Sequence, residues 1–141
     1  HGNGTEDILG GDPRFLFFSS FQHPFYPHTG YENTPDNVVN LLLPGGATGT
    51  EFREGVYTNW LPRLRDFAPE LILISAGFDA HQADDMAGLM LIDDDFAWVT
   101  QRICEVANEF AQGRIVSSLE GGYDLHALAR SVEAHIRAFY G

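Results

Sequence analysis

The aliphatic run at residues 71–77, LILISAG, constrains the fold more than any other part of the sequence. It lacks the alternation of polar and apolar residues that a strand with one face in water shows. A continuous run of this kind is typical of a strand covered on both faces in a parallel sheet. Because helices cover the faces of such a sheet, the sequence predicts an α/β domain.

Three further segments read as strands. Residues 15–21 (FLFFSSF) are apolar and aromatic, and residues 37–44 (NVVNLLLP) form a short run that Pro44 and the following glycines close. Residues 114–123 (RIVSSLEGGY) supply the last strand. Four strands are therefore predicted.

Three amphipathic segments alternate with these strands. The first is predicted as a helix over residues 50–66 that is disturbed at Pro62. Residues 93–95, all aspartate, cap the second helix, Gly113 stops it, and Asp124 caps the third. The stripes predicted to face the core are Phe52, Val56, Trp60 and Leu64 in the first helix, Phe96, Val99, Ile103, Val106 and Phe110 in the second, and Leu125, Leu128, Val132, Ile136 and Phe139 in the third.

Composition limits the number of domains and the classes of partner. A chain of 141 residues without repeats or linkers is predicted to form one domain, residues 1–141. The 8 basic and 20 acidic residues give a net charge of −12, which argues against a nucleic-acid partner. The charge is compatible with a cationic substrate, and solubility alone would explain it equally well. No segment has the length of a membrane span, so no membrane partner is expected. Cys104, the only cysteine, suits a core position, and a cytoplasmic location is expected.

Chemically useful residues follow the predicted strands. In an open parallel sheet, ligands bind beyond the carboxyl ends of the strands. Asp79 and His81 follow the run at 71–77, the GGY turn at 121–123 lies at the end of the last strand, and the HPFYPHTG loop at 23–30 follows the first. We therefore expect these loops to border one crevice.

Each of these residues also has a purely structural interpretation. Asp79 is a common residue type for a turn or a helix cap, and His81 is expected to be an exposed loop histidine. Tyr123 is suited to packing alone, and Phe25 and Tyr26 are suited to the core. Single residues therefore do not decide between a ligand site and ordinary loop structure.

Four ordered segments together resemble the histone deacetylase family, in particular the bacterial histone deacetylase-like amidohydrolases and the acetylpolyamine amidohydrolases. They are HGNGTEDI at 1–8, SSFQHPFYPHTG at 19–30, SAGFDAH at 75–81 and SLEGGYDLHALARSV at 118–132. The resemblance covers essentially the whole chain. It implies the arginase/deacetylase fold, a parallel sheet flanked by helices, of which these residues form the C-terminal part of the catalytic domain.

The resemblance also implies a zinc-dependent hydrolysis of acetyl-amides. In the family, an Asp-x-His pair and a second aspartate hold the zinc ion, and Asp79 matches that second aspartate. His1 matches a non-ligating histidine, so the ligating pair and the histidines that activate water are expected before His1, and the chain is expected to be a fragment. Tyr123 matches the tyrosine that stabilises the oxyanion.

The resemblance also implies substrate-binding or ion-binding roles for further residues of this chain. Gly121 and Gly122 match the turn that approaches the acetyl group. Tyr26, with Phe25, matches the aromatic wall of the acyl-lysine tunnel. Ser19 and Ser20 fall where the family lends oxygen atoms to a structural potassium ion.

Two positions depart from the family pattern. The chain reads Asp84-Asp85 where many relatives have Asp-Pro, which puts the loop shape and the tunnel rim in doubt. His28 stands where glycine is common, which bears on the tunnel mouth. Tyrosine rather than histidine at 123 favours the catalytically competent branch.

The leading hypothesis is a zinc amidohydrolase that acts on an acetylated lysine or polyamine, with a homo-oligomer compatible with the sequence. The main alternative is a non-catalytic deacetylase-like module that binds acylated ligands without turnover. A manganese hydrolase of the arginase type would need extra carboxylates for a second metal. The sequence before His1 would discriminate the first two.

Overall fold

The computed structural model describes all 141 residues, and its elements alternate as an α/β chain. The strands are β1 (Phe17–Gln22), β2 (Val38–Leu43), β3 (Ile72–Ala76) and β4 (Ile115–Leu119). The helices are α1 (Asn3–Leu9), α2 (Gly49–Gly55), α3 (Leu61–Phe67), α4 (Asp93–Phe110) and α5 (Leu125–Tyr140), and a π-helical segment, Val56–Trp60, joins α2 to α3. The four predicted strands are all present.

The strands form two parallel pairs rather than one continuous sheet. β1 pairs with β2 from Phe17 and Val38 to Gln22 and Leu43. β3 pairs with β4 from its first to its last residue, and no strand joins the two pairs. The prediction of parallel strands is confirmed, and within this chain they form two two-stranded sheets.

One hydrophobic core connects the two strand pairs. It includes side chains from β2, from the helical segment 49–67, from the loop after β3 and from α4. Its largest buried members are Leu43, Phe52, Val56, Leu61, Leu64, Phe78, Leu89, Leu91, Phe96 and Val106. A contiguous core of this kind is what one domain requires.

The predicted helix over 50–66 is continuous but changes its hydrogen bonding before Pro62. Thr48 caps its start, where its hydroxyl accepts the N–H of Thr50. The N–H of Leu61 bonds to the carbonyl of Val56, five residues back. Since proline has no N–H and crowds the preceding turn, the widened turn lets the helix continue.

The predicted core stripe of α5 is displaced around the helix. Leu125 is 74% exposed and Ile136 is 48% exposed, whereas Ala127, Ser131, His135 and Ala138 are buried. The buried set consists mainly of small residues, which let α5 lie close against α4. Of the predicted stripe, Leu128 and Val132 pack against the core, whereas Leu125 and Ile136 are exposed, so the prediction was wrong at those two positions.

The sequence did not predict α1. This helix begins after Gly2, contains Glu6 and Asp7, and buries none of its residues. It lacks the apolar stripe by which amphipathic helices are recognised.

None of the helices has the length and hydrophobicity needed to cross a membrane.

Candidate active site at the carboxyl ends of the strands

The loops after β3 and β4 leave the same edge of their sheet and bond to each other. The N–H of Glu120 donates to the carbonyl of Ala76 at 2.9 Å, and the N–H of Phe78 donates to the carbonyl of Gly121 at 2.8 Å. These two backbone hydrogen bonds, one donated from each side, therefore extend the parallel pairing beyond the strands. Asp79 and the 121–123 turn lie on one edge of the molecule.

The carboxylate of Asp79 lies directly against the backbone of Gly121. A Cβ atom at Gly121 would fall 2.8 to 3.0 Å from the carboxylate atoms, closer than real Cβ contacts. Asp79 is half-buried, and no hydrogen bond or ion pair engages its carboxylate within the chain. It is therefore neither a helix cap nor an ion-pair partner, and glycine at 121 leaves the space that it occupies.

Gly122 is required by the shape of the same turn. Its φ of 136° lies in a region that residues with a side chain rarely adopt. A Cβ atom there would fall 2.7 Å from the Leu128 side chain and 3.3 Å from Phe78. The turn before Tyr123 thus depends on two adjacent glycines, each for its own steric reason.

Tyr123 is 57% exposed, and its hydroxyl makes no hydrogen bond within the chain. Its backbone N–H donates to Oδ2 of Asp84 at 2.7 Å, and the N–H of Asp124 donates to the same oxygen at 3.1 Å. The carboxylate of Asp124 then accepts the N–H of Ala127 at 2.7 Å and caps α5, as predicted. Backbone contacts hold the turn while the phenol is left free.

Asp84 is 6% exposed, and sequence reasoning missed its role. Burial by itself raises the pKa of the Asp84 carboxyl, but the N–H groups of Tyr123, Met86 and Asp124, together with nearby His81, hold that pKa below its usual value. The carboxylate is therefore charged at neutral pH. In the sequence only the neighbouring Asp85 stood out, where many relatives have proline, because two of the partners of Asp84, Tyr123 and Asp124, follow another strand.

The expectation that His81 is exposed is wrong. The imidazole is 3% exposed and stacks on Phe96. Its Nδ1 accepts the N–H of Ala83 at 3.0 Å, so the ring proton is on Nε2, which lies 3.2 Å from Oδ1 of Asp93. His81 therefore attaches the loop after β3 to the start of α4.

Asp93 connects this contact to α5. It accepts hydrogen bonds from the Ser131 hydroxyl at 2.8 Å and from Nε of Arg130 at 2.9 Å. Burial raises the pKa of Asp93, but Ser131, Arg130 and His81 together lower it below its usual value. Of the predicted capping residues 93–95, Asp95 caps the start of α4 by accepting the N–H of Ile92 at 2.9 Å. Asp93 instead contacts His81 of the loop after β3.

Phe25 and Tyr26 lie in the loop after β1, and both are exposed rather than in the core. The N–H of His28 donates to the carbonyl of Phe25 at 3.0 Å and closes a turn. Gln22, at the end of β1, accepts the N–H of Gly88 at 2.7 Å, which joins this region to the loop after β3. No hydrogen bond or ring contact links the two aromatic residues to Asp79 or Tyr123, so their tunnel role stays a prediction.

His28 adopts a φ of 61°, in the left-handed region. This is the conformation that glycine accepts without steric cost, which gives a physical reason why glycine suits this position.

Ser19 and Ser20 lie in the middle of β1, opposite Asn40 and Leu41 of β2. The Ser19 hydroxyl accepts the N–H of Gly2 at 3.4 Å. His1 packs on Phe21, with ring centroids 3.8 Å apart. The GNGT segment therefore adjoins β1, and the potassium role of the two serines stays a prediction.

No group of three or more His, Cys, Asp or Glu side chains in the chain is arranged to hold a metal ion. Asp79 is the one predicted zinc ligand that lies within these residues. Burial and neighbouring Glu105 raise the pKa of the Cys104 thiol, which keeps it protonated and unsuited to nucleophilic attack.

Comparison with known proteins agrees with this architecture. The sequence model of the histone deacetylase domain matches residues 1–139. Histone deacetylase 10, chloroplastic, from Oryza sativa subsp. japonica is 42% identical over the whole chain, which spans 33% of that protein. A probable deacetylase from Archaeoglobus fulgidus is 38% identical over 89% of the chain, which spans 36% of that protein.

The crystal structure of the HDA15 HD domain has the same fold. It superposes with a TM-score of 0.87 at 28% identity and covers 99% of this chain, which corresponds to 41% of that structure. The chain thus spans well under half the length of these relatives. The family match nevertheless extends over nearly all of its residues, and the chain belongs to the histone deacetylase family.

Proposed function

We propose that the complete protein containing these residues is a zinc-dependent amidohydrolase that removes acetyl groups from lysine-like or polyamine amines. Membership of the histone deacetylase family supports a deacetylase. The observation that carries the proposal for this chain is the free carboxylate of Asp79. It lies against Gly121, and Gly121 precedes Tyr123 by two residues.

Asp79 has the properties of a zinc ligand. Its carboxylate has no partner in the chain, and a side chain at 121 would fill the space around it. Carboxylate oxygen is a common zinc ligand, and two or more further ligands are needed for a closed or catalytic site. In this proposal they come from the Asp-x-His pair that the family resemblance implies before His1. When bound, zinc supplies Lewis acidity, which polarises an amide carbonyl and makes water more acidic.

Tyr123 suits the role of oxyanion donor. Its hydroxyl is free, and the backbone that carries it is fixed to Asp84. A free hydroxyl on a backbone held in this way can donate a hydrogen bond to the oxygen that gains charge as the acetyl-amide is attacked. Gly121 and Gly122 carry no side chain, so an acetyl group can approach the turn closely.

The remaining predicted contacts concern the amine portion of the substrate. Phe25 and Tyr26 are exposed and are proposed to line the acyl-lysine tunnel in the complete protein. The net charge of −12 favours a cationic amine over an anionic substrate. A potassium ion near Ser19 and Ser20 belongs to the same proposal.

The test measures hydrolysis of an acetyl-lysine peptide and of an acetylated polyamine, with zinc quantified in the same samples. In the complete protein, we expect Asp79→Asn to lose zinc affinity and activity together, because a neutral amide replaces a charged ligand. The matched control is Asp85→Asn, an exposed aspartate of the same loop that makes no hydrogen bond.

Two results would contradict the proposal. If Asp79→Asn kept both its zinc and its rate, Asp79 would be an ordinary turn residue. If the unaltered protein bound acetylated ligands without turnover, it would be a non-catalytic binding module.

A further inference from the structure

Asp84 is a buried charge that bonds to the backbone of Tyr123 in the proposed site, and no arginine or lysine pairs with it. Its two oxygens accept three backbone N–H groups, those of Tyr123 and Asp124 on Oδ2 and that of Met86 on Oδ1. A buried carboxylate is costly unless it is hydrogen-bonded in this way. The structure therefore keeps a charged group in the interior where it bonds only to backbone.

The two sides of this contact come from different strand ends. Asp84 lies in the loop after β3, five residues beyond Asp79, and the Tyr123–Asp124 backbone follows β4. The Asp84 N–H donates to the carbonyl of His81 at 2.9 Å, so Asp84 itself is held by its own loop. Beyond the two backbone hydrogen bonds at the strand ends, the carboxylate thus adds a link between the loop of Asp79 and the turn of Tyr123.

The hydrogen bonds at Glu120 and Gly121 hold the turn before Tyr123, but no hydrogen bond other than the one to Asp84 engages Tyr123 itself. Its ring is exposed and its hydroxyl is free, while Gly122 before it has the conformational freedom of glycine. After it, Asp124 caps α5. The hydrogen bond at 2.7 Å to Asp84 is therefore the restraint that acts on the Tyr123 N–H itself.

We infer that Asp84 is a positioning residue that holds Tyr123 at a fixed place relative to Asp79, an inference that rests on the proposed function. It does not touch the substrate and acts through the backbone of Tyr123. Charge-assisted hydrogen bonds from backbone N–H groups are stronger than neutral ones, which suits a carboxylate to this task. A displacement of about 1 Å in a reacting group can cost about 100-fold in rate, so the contact has a measurable consequence.

The experiment is a double-mutant cycle in the complete protein, with Asp84→Ser, Tyr123→Phe and the combined variant. Serine is too short to reach both N–H groups. We expect Asp84→Ser to lower kcat by about 100-fold, with KM and zinc content little changed. When Asp84→Ser is added to Tyr123→Phe, kcat should fall almost no further, because the hydroxyl that Asp84 positions is already absent.

Two further measurements separate positioning from general damage. Amide hydrogen exchange in the 120–127 segment should accelerate in Asp84→Ser, and Asp84→Asn should recover most of kcat because its amide oxygen can still accept both N–H groups. If Asp84→Ser did not fold, the cycle would use Asp84→Asn and its smaller effect. Asp85→Ser, in the exposed neighbour, should leave rate and exchange unchanged.

The outcomes distinguish this inference from the proposed function. Full activity in Tyr123→Phe would overturn the proposed role of Tyr123. A slow Tyr123→Phe with a fully active Asp84→Ser would overturn the positioning role alone. A combined variant slowed by the product of the two single effects would also overturn it, because Asp84 would then act independently of Tyr123.

Discussion

At the scale of single residues, the candidate site depends on two glycines that lack a side chain as much as on the side chains of Asp79 and Tyr123. Asp79 has room because position 121 has no side chain, and Tyr123 follows a glycine whose φ excludes most other residues. The sequence predicted Asp79, Gly121, Gly122 and Tyr123 as a group from their positions after strands. Asp84, Asp93 and His81 also have partners in distant segments, and no local pattern marks those contacts.

Gly121→Ala tests the steric argument. The added Cβ would fall 2.8 Å from Oδ2 of Asp79, so the carboxylate must move. We expect the zinc affinity of the complete protein to fall about 10- to 100-fold, as for other changes that disturb ligand orientation. Gly88→Ala is the control, because its Cβ would make only ordinary contacts with Gln22. Equal zinc affinity in both variants, measured by competition with a chelator, would refute the argument.

At the scale of elements, the ends of α4 and the buried face of α5 determine how the loops after β3 and β4 are held. Asp95 is buried at the start of α4, where Nε of Arg53 in α2 lies 2.7 Å from its Oδ1. It also packs on Gly49, where a Cβ atom would fall within 2.5 Å of its carboxylate. The start of α4 is thus fixed to the start of α2.

Asp95→Ala should destabilise the protein by about 2 to 3 kcal/mol. The change removes the cap on Ile92 and the partner of Arg53, and the partial exposure of Arg53 keeps the loss below that of a fully buried pair. Asp94→Ala, an exposed neighbour in the same turn, should change the free energy of unfolding by no more than about 0.5 kcal/mol. Urea unfolding measures both, and equal stability of the two variants would contradict the structural role of Asp95.

His135 in α5 should make stability depend on pH. Its Nδ1 lies 2.7 Å from the Thr100 hydroxyl and its Nε2 lies 2.9 Å from the Ser117 hydroxyl, and the rings of Phe78 and Phe139 pack on it. Burial lowers the pKa of His135 below its ordinary value of 6.5.

The unfolded chain therefore binds this proton more readily than the folded chain. The His135 contribution is fully present above pH 6.5 and is lost as the pH falls from there toward the lower pKa of the folded state. We expect the difference in unfolding free energy between the unaltered protein and His135→Gln to shrink between pH 7.5 and pH 5. A difference that stayed constant over this range would contradict the burial argument.

The elements also show what a sequence can predict. Four strands and the capped starts of α4 and α5 followed from apolar runs and aspartate caps, because these signals are local. The face of α5 was predicted only in part, since Leu128 and Val132 pack against the core but Leu125 and Ile136 are exposed. The most deeply buried positions of α5 are instead the small residues Ala127, Ser131 and Ala138. His81 was misjudged because Asp93, which holds it, belongs to the next helix.

At the scale of the whole molecule, a contiguous core coexists with apolar surface that nothing in this chain covers. Leu73 of β3 and Val116 of β4 are register partners, and both are exposed. Leu71 and Leu119 are exposed at the ends of the same strand pair. An exposed apolar patch on a sheet favours association.

We therefore expect the 141-residue chain to self-associate as its concentration rises, in line with the predicted homo-oligomer. Sedimentation velocity should show less association in Leu73→Lys/Val116→Lys, because two charges interrupt the patch. Ile8→Lys, a change at an exposed apolar residue on α1, is the control. An equal reduction of association by Ile8→Lys and by Leu73→Lys/Val116→Lys would contradict the role of the patch.

The proposed role of Tyr123 as oxyanion donor, at a site built on Asp79, is tested by the Tyr123→Phe variant of the complete protein. Removing only the hydroxyl should lower kcat by about 100- to 1000-fold, because such a donor acts mainly in the transition state. KM and zinc content should stay nearly unchanged, and Tyr57→Phe, at an exposed tyrosine of the π-helical segment, should keep full activity. Undiminished hydrolysis of an acetyl-lysine peptide by Tyr123→Phe would contradict the account.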